Sequence, residues 1–120
     1  MTDPATLVSR YLAPWNEADP ARRRTLLAEA WQEGGSYVDP LAEVVGHDGL
    51  ETMIAVVRVK FAGLRFRPAG TPDAHHDRLR FRWELAGPDG VAVASGTDVA
   101  IVDAAGRFVA VTGFLDKIPA

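Results

Sequence analysis

With 120 residues, of which 48% are hydrophobic, 24% charged and 8% aromatic, the chain has the composition of one globular domain and no room for a second. It has no cysteine, which excludes disulfides, thiolate catalysis and zinc-finger or iron–sulfur ligation, so any chemistry falls to carboxylates, three histidines, hydroxyls or a bound cofactor. Thirteen Lys and Arg against sixteen Asp and Glu leave a net charge of -3, too little positive field to make nucleic acid an expected partner.

Met1-Thr2-Asp3-Pro4 lacks the basic and then apolar run of a leader, and no stretch reaches the length of a membrane span. The expectation is a cytoplasmic protein with no membrane partner. Thr2-Asp3-Pro4 reads as a helix start, a capping side chain followed by proline at the first helical position, and Leu7, Val8, Tyr11, Leu12 and Trp15 recur at helical spacing. Pro14 cannot donate to the i−4 carbonyl, which predicts a kink or a helix end near Ala13. Asp19-Pro20 repeats the start signal, and Leu26, Leu27, Ala30 and Trp31 form the stripe of a second helix stopped by Gly34-Gly35.

Ser36-Tyr37-Val38-Asp39 is a short strand that Pro40 terminates. Asp48 caps a third helix with Leu50, Met53, Ile54, Val57 and Phe61 on one face, ended by Gly63. From Leu64 onward the period becomes two. Leu64 and Phe66 alternate with Arg65 and Arg67, and Leu79, Phe81, Trp83 and Leu85 alternate with Arg78, Arg80, Arg82 and Glu84. Turns at Gly87-Pro88-Asp89-Gly90 and Asp103-Ala104-Ala105-Gly106 complete a meander of long antiparallel strands. Three helices followed by a curved antiparallel sheet predict an α+β domain with the helices on one sheet face. The strand from Val91 to Val102 is apolar on both parities, so a second subunit is expected on its other face, most simply as a homodimer through the sheet.

Arg10-Tyr11 on the first helix, Tyr37-Val38-Asp39-Pro40 after the second, Gly46 before the third, Phe81-Arg82-Trp83-Glu84-Leu85, and Thr97-Asp98-Val99 followed by Asp103-Ala104-Ala105-Gly106-Arg107 resemble the nuclear-transport-factor-2-like superfamily. Within it, the chain is most similar to the ketosteroid isomerase and SnoaL-like polyketide cyclase branch. The resemblance implies a cone, a strongly bent sheet wrapped around a long helix with an apolar pocket open at one end. It also implies three roles: Asp39 as base, with Tyr11 and a protonated Asp98 as donors to an oxyanion. Such a set removes a proton from carbon beside a carbonyl and holds the enolate that forms. Where the isomerases carry a further tyrosine this chain has Ile54, and a pocket tryptophan near the C-terminus is replaced by Leu115. Trp15 and Trp83 fill the cavity instead, with Met53, Phe61, His75, Leu79, Phe81 and Val111 as further wall residues, which favours a smaller or flatter substrate than a steroid.

Each of these residues also has a plainer reading. Asp39 before proline shapes a turn, Tyr11 on an apolar stripe is core, and Asp98 is either a desolvated pocket acid or a surface acid turned outward by a bulge. In His75-His76-Asp77 neighbouring side chains point to opposite faces; parity with Leu79 and Phe81 sends His75 inward, and no metal site is expected. His47 reads as a residue of the third helix start. The arginine stripe on the outer strand parity calls for acidic neighbours such as Glu84 or a second subunit, and Arg22-Arg23-Arg24 reads as a solvated helix face. The functional expectation is a small enzyme, needing no cofactor, that shifts a proton in an apolar carbonyl compound (polyketide, terpenoid or steroid-like) to isomerise or cyclise it. The alternatives are a non-catalytic binding or dimerisation module and an epoxide hydrolase on the same fold.

Overall fold

The computed structural model describes residues 2–119. The Asp3 carboxylate accepts the Thr6 N–H and caps α1 (Pro4–Asn16), with Pro4 in the first turn, where its missing N–H costs nothing. The helix runs through Pro14 to Asn16 instead of ending near Ala13. A proline forfeits one hydrogen bond to the preceding turn, and here it and Trp15 are both buried, so continuing the apolar face into the core offsets that loss.

Helix α2 (Pro20–Ala30) starts on the Asp19 carboxylate and stops at Ala30, before Gly34-Gly35, because Trp31 takes extended backbone and opens β1 (Trp31–Val38). The glycines serve the strand instead. Its pairing with β6 (Phe108–Lys117) is interrupted between Trp31 and Ser36, and a Cβ on Gly35 would stand 2.6 Å from the Trp31 ring. The strand thus bulges and folds tightly over its own tryptophan.

After β2 (Glu43–Val45), Gly46 at φ 82° turns the chain into α3 (Gly46–Lys60). Asp48 does not cap this helix. It lies in the first turn, where its charge suits the helix dipole, and is paired with Arg24 at 2.8 Å on the surface. Arg23 departs from the solvated face expected of it: it is only 4% exposed and donates to Glu51 Oε1 on α3 at 2.9 Å and to the Glu17 carbonyl at 2.9 Å. One guanidinium therefore ties α2 to α3 and to the loop leaving α1.

The six strands, completed by β3 (Arg65–His75), β4 (Arg78–Ala86) and β5 (Ala92–Val102), form one sheet in the order β2-β1-β6-β5-β4-β3. Every neighbouring pair is antiparallel except β1 with β6, which run parallel, so the sheet is mixed. Register shifts in β1, β3 and at both ends of β5 bend the strands around the helices. Leu7, Tyr11, Leu12 and Trp15 from α1, and Leu50, Met53 and Ile54 from α3, pack against Phe81, Ala100, Phe108 and Val111 from the sheet.

On the opposite sheet face Val99 is 39% and Phe114 56% exposed. The arginine stripe at its margin is partly neutralised by acidic neighbours, Arg67 with Glu84 at 3.0 Å and Arg80 with Asp73 at 3.0 Å. No helix among the described residues is long and apolar enough to cross a membrane.

Candidate active site

The site begins with a strand parity. Tyr37 and Asp39 are two residues apart at the end of β1, so both side chains leave the same face of the sheet. The Tyr37 hydroxyl donates to Asp39 Oδ2 at 2.6 Å. Pro40 then stops the strand, and Asp39 Oδ1 accepts the N–H groups of Leu41 at 2.7 Å and Ala42 at 2.8 Å. The two readings of Asp39 thus divide between its oxygens: Oδ1 builds the turn with both its lone pairs, while Oδ2 keeps one lone pair beyond the tyrosine bond.

Asp98 comes from the middle of β5, on the inward parity shared with Ala94 and Ala100, and is 2% exposed. It faces Phe81 on β4 and Gly113 on β6. The Trp83 indole N–H donates to its Oδ1 at 3.3 Å, and this ring has room because Gly96 opposite it carries no side chain. Tyr11 reaches the same region from α1. Its ring packs edge-on against Phe81 and Phe108 at 5.0 and 5.1 Å, and its buried hydroxyl stands beside Asp98 without closing a hydrogen bond to any described residue.

These four polar groups open onto one apolar cavity of about 140 Å³. Trp15, Met53, Phe61, Trp83 and Leu115 line it, joined by Leu12, Val57 and Phe66, with Leu41 and Ile118 contributing further apolar wall. Leu79, Phe81 and Val111 do not reach the wall; they are buried in the core, where Phe81 buttresses Tyr11. His75 is the clear correction. It is the last residue of β3, so the parity of Leu79 on the next strand does not carry back across the turn. It pairs with Arg78 and shares that residue's exposed face, and its ring contacts His76, which turns the chain at φ 50°. Among the described residues no three metal-ligating side chains converge.

Tyr37 is the functional candidate that the sequence reading passed over. Ile54, standing where the isomerases carry a second tyrosine, is buried in the core, and the second phenol of this site comes from β1 instead. The signal was present in Tyr37-x-Asp39: two polar groups at strand spacing immediately before a turn.

The electrostatics follow from burial. Desolvation pushes the Asp98 carboxyl up to about 6, the Tyr11 hydroxyl and Trp83 indole pull it partly back, and the Asp39 charge adds to the rise. Tyr11 and Tyr37 are both driven well above the usual phenol range, first by burial and then by the neighbouring carboxyls, so both remain neutral donors. Because Asp98 holds its proton more tightly folded than unfolded, the fold loses stability as pH rises from 3.8 to about 6, by about 3 kcal/mol. Thermal unfolding across that interval should show wild-type Tm falling relative to Asp98→Asn; parallel curves would mean that position 98 is not desolvated.

No family model matches the chain, and no curated protein matches it. Solved structures do. A candidate isomerase of the SnoaL-like family from Agrobacterium tumefaciens is 50% identical, with a TM-score of 0.90 over 97% of this chain and 99% of that one. A nuclear-transport-factor-2-like protein of unknown function from Exiguobacterium is similar at 22% identity and a TM-score of 0.71, covering 92% of this chain and 98% of its own. A candidate SnoaL-like polyketide cyclase from Jannaschia has 17% identity and a TM-score of 0.71 over 97% of this chain and 90% of its own; these last two speak to the fold alone. The bent sheet with its three helices, and a relative identical at half its positions over nearly the full length of both chains, make this protein a member of the SnoaL-like family.

Proposed function

We propose that the protein is an enzyme that binds a small apolar carbonyl compound and moves a proton next to its carbonyl, as an isomerase or a cyclase. The observation that carries this reading is the meeting of Asp39, Tyr11 and Asp98, from three separate elements, on one apolar cavity. Asp39 Oδ2 removes a proton from the carbon beside the carbonyl, and the electron pair moves onto the carbonyl oxygen. The Tyr11 hydroxyl holds the oxyanion and, below its midpoint of about 6, so does the proton of Asp98, so the reaction slows as pH rises through that value. Asp39 then returns its proton to a second carbon, completing an isomerisation. Alternatively the enolate carbon closes a bond onto another carbonyl of the same molecule, and Asp39 protonates the resulting alkoxide.

A dry cavity of about 150 Å³ holds a molecule the size of benzene. At about 140 Å³ the present one has room for roughly a single ring beside the polar groups, and because it opens to solvent on one side the rest of a larger substrate would extend from its mouth.

The same reading places a second copy of the chain on the outer sheet face, where Val99 and Phe114 form an apolar patch bordered by the arginine stripe. Sedimentation equilibrium should then give twice the chain mass, and Val99→Glu should give a monomer; a monomeric wild type refutes the pairing.

4-Nitrophenol tests the site, since its anion imitates an enolate on one ring and its colour reports ionisation. Asp39→Asn should bind it as well as wild type or better, because a nearby negative charge is gone. Below pH 6, where Asp98 keeps its proton, Asp98→Ala should bind it about tenfold more weakly, the loss of one hydrogen bond to a charged oxygen. No binding by any of the three proteins would favour a non-catalytic module, and equal binding by all three would remove Asp98 from the site.

A further inference from the structure

Gly113 lies on β6 directly opposite Asp98, on the inward parity that also carries Val111. It is buried, and its backbone does not enter the left-handed region that accounts for Gly46, Gly63, Gly70, Gly90 and Gly106. Nothing in the conformation of the strand calls for glycine there, and glycine within a strand weakens it. What calls for it is space. A Cβ at position 113 would stand 2.9 Å from Asp98 Oδ1, 3.3 Å from Asp39 Cβ and 3.4 Å from the Tyr37 hydroxyl. The three groups come from β1, the turn after it, and β5, and the empty side of Gly113 is the point on which they converge.

We infer that Gly113 is a positioning residue, whose missing side chain lets Asp98 approach the Tyr37–Asp39 pair closely enough for all three to face one substrate. The inference deepens the proton-transfer reading and rests on it for its functional meaning. Of the three atoms a methyl group would meet, the closest is the free end of the Asp98 side chain, which yields by rotating, whereas Asp39 is held by its turn and Tyr37 by its bond to Asp39. Gly113→Ala therefore keeps the sheet and moves the carboxyl. Residue size at this position sets the distance between the acid that donates to the oxyanion and the base that takes the proton.

The experiment compares wild type with Gly113→Ala in two measurements, 4-nitrophenol affinity and the pH midpoint of the Asp98 carboxyl followed by carbon NMR. A folded variant with affinity reduced about tenfold or more and a displaced Asp98 midpoint supports the inference. A folded variant in which both stay at the wild-type values overturns it. If Gly113→Ala does not fold, Asp98→Ala/Gly113→Ala decides: recovery of the fold identifies the Asp98 oxygen as the group that was crowded, and continued failure overturns the inference. Should wild type itself not bind 4-nitrophenol, the proton-transfer reading fails, yet the Asp98 midpoint still shows whether position 113 controls that carboxyl.

Discussion

The fold holds the Asp98 carboxyl out of water with no cation paired to it, unlike Glu51, which is buried against Arg23. Asp98 sits in the middle of a long sheet strand, opposite Phe81 on one side and Gly113 on the other, and it has an indole N–H rather than a cation for company. A carboxyl so placed raises its own proton affinity instead of remaining a surface anion. The arrangement of the site follows from that. Tyr11 stays neutral beside it, and Trp83 reaches over Gly96 to touch it. The sheet leaves a hole at Gly113 so that the Tyr37–Asp39 pair can approach.

The two acids are treated in opposite ways by the same backbone. Asp39 stands at a strand end, where two free N–H groups and one phenol meet its oxygens. Asp98 stands where the sheet has used its own N–H groups in the ladder and offers it a single side-chain donor within hydrogen-bond distance. Position along a strand, more than residue type, therefore sets the surroundings of each acid, hydrogen-bonded at a strand end and desolvated in mid-sheet. Trp15, Phe61, Phe66 and Trp83 give the cavity between them its apolar wall.

Much of this was legible in the amino-acid order, since periodicity is imposed by burial. The stripes of α1 and α3 and the two-residue alternation of β3 and β4 led directly to helices on one face of a bent sheet. The failures have local causes. Pro14 and Gly34-Gly35 were read as helix breakers by propensity, but Pro14 is carried by the packing around it and the glycines accommodate a tryptophan ring. Arg23 looked like one of three solvated arginines because its buried partner, Glu51, is 28 residues away on another helix. His75 was assigned a face by counting across a turn, where parity is not preserved. Within the site, Asp39, Tyr11 and Asp98 could be named from motif resemblance; Tyr37 was passed over although its strand spacing from Asp39 carried a signal, and Gly113 emerges only from three-dimensional proximity. The parallel pairing of β1 with β6, which sets Tyr37 against Val111, leaves no local trace in either strand.

The account stands or falls on the protonation of one side chain. Specific carbon labelling of aspartate and an NMR titration of the ligand-free protein read it directly, with Asp98→Asn identifying the resonance. The account requires the Asp98 carboxyl to titrate with a midpoint of about 6. A midpoint at the ordinary 3.8 would mean that water reaches the group freely, and the proposed donor to the oxyanion would be lost.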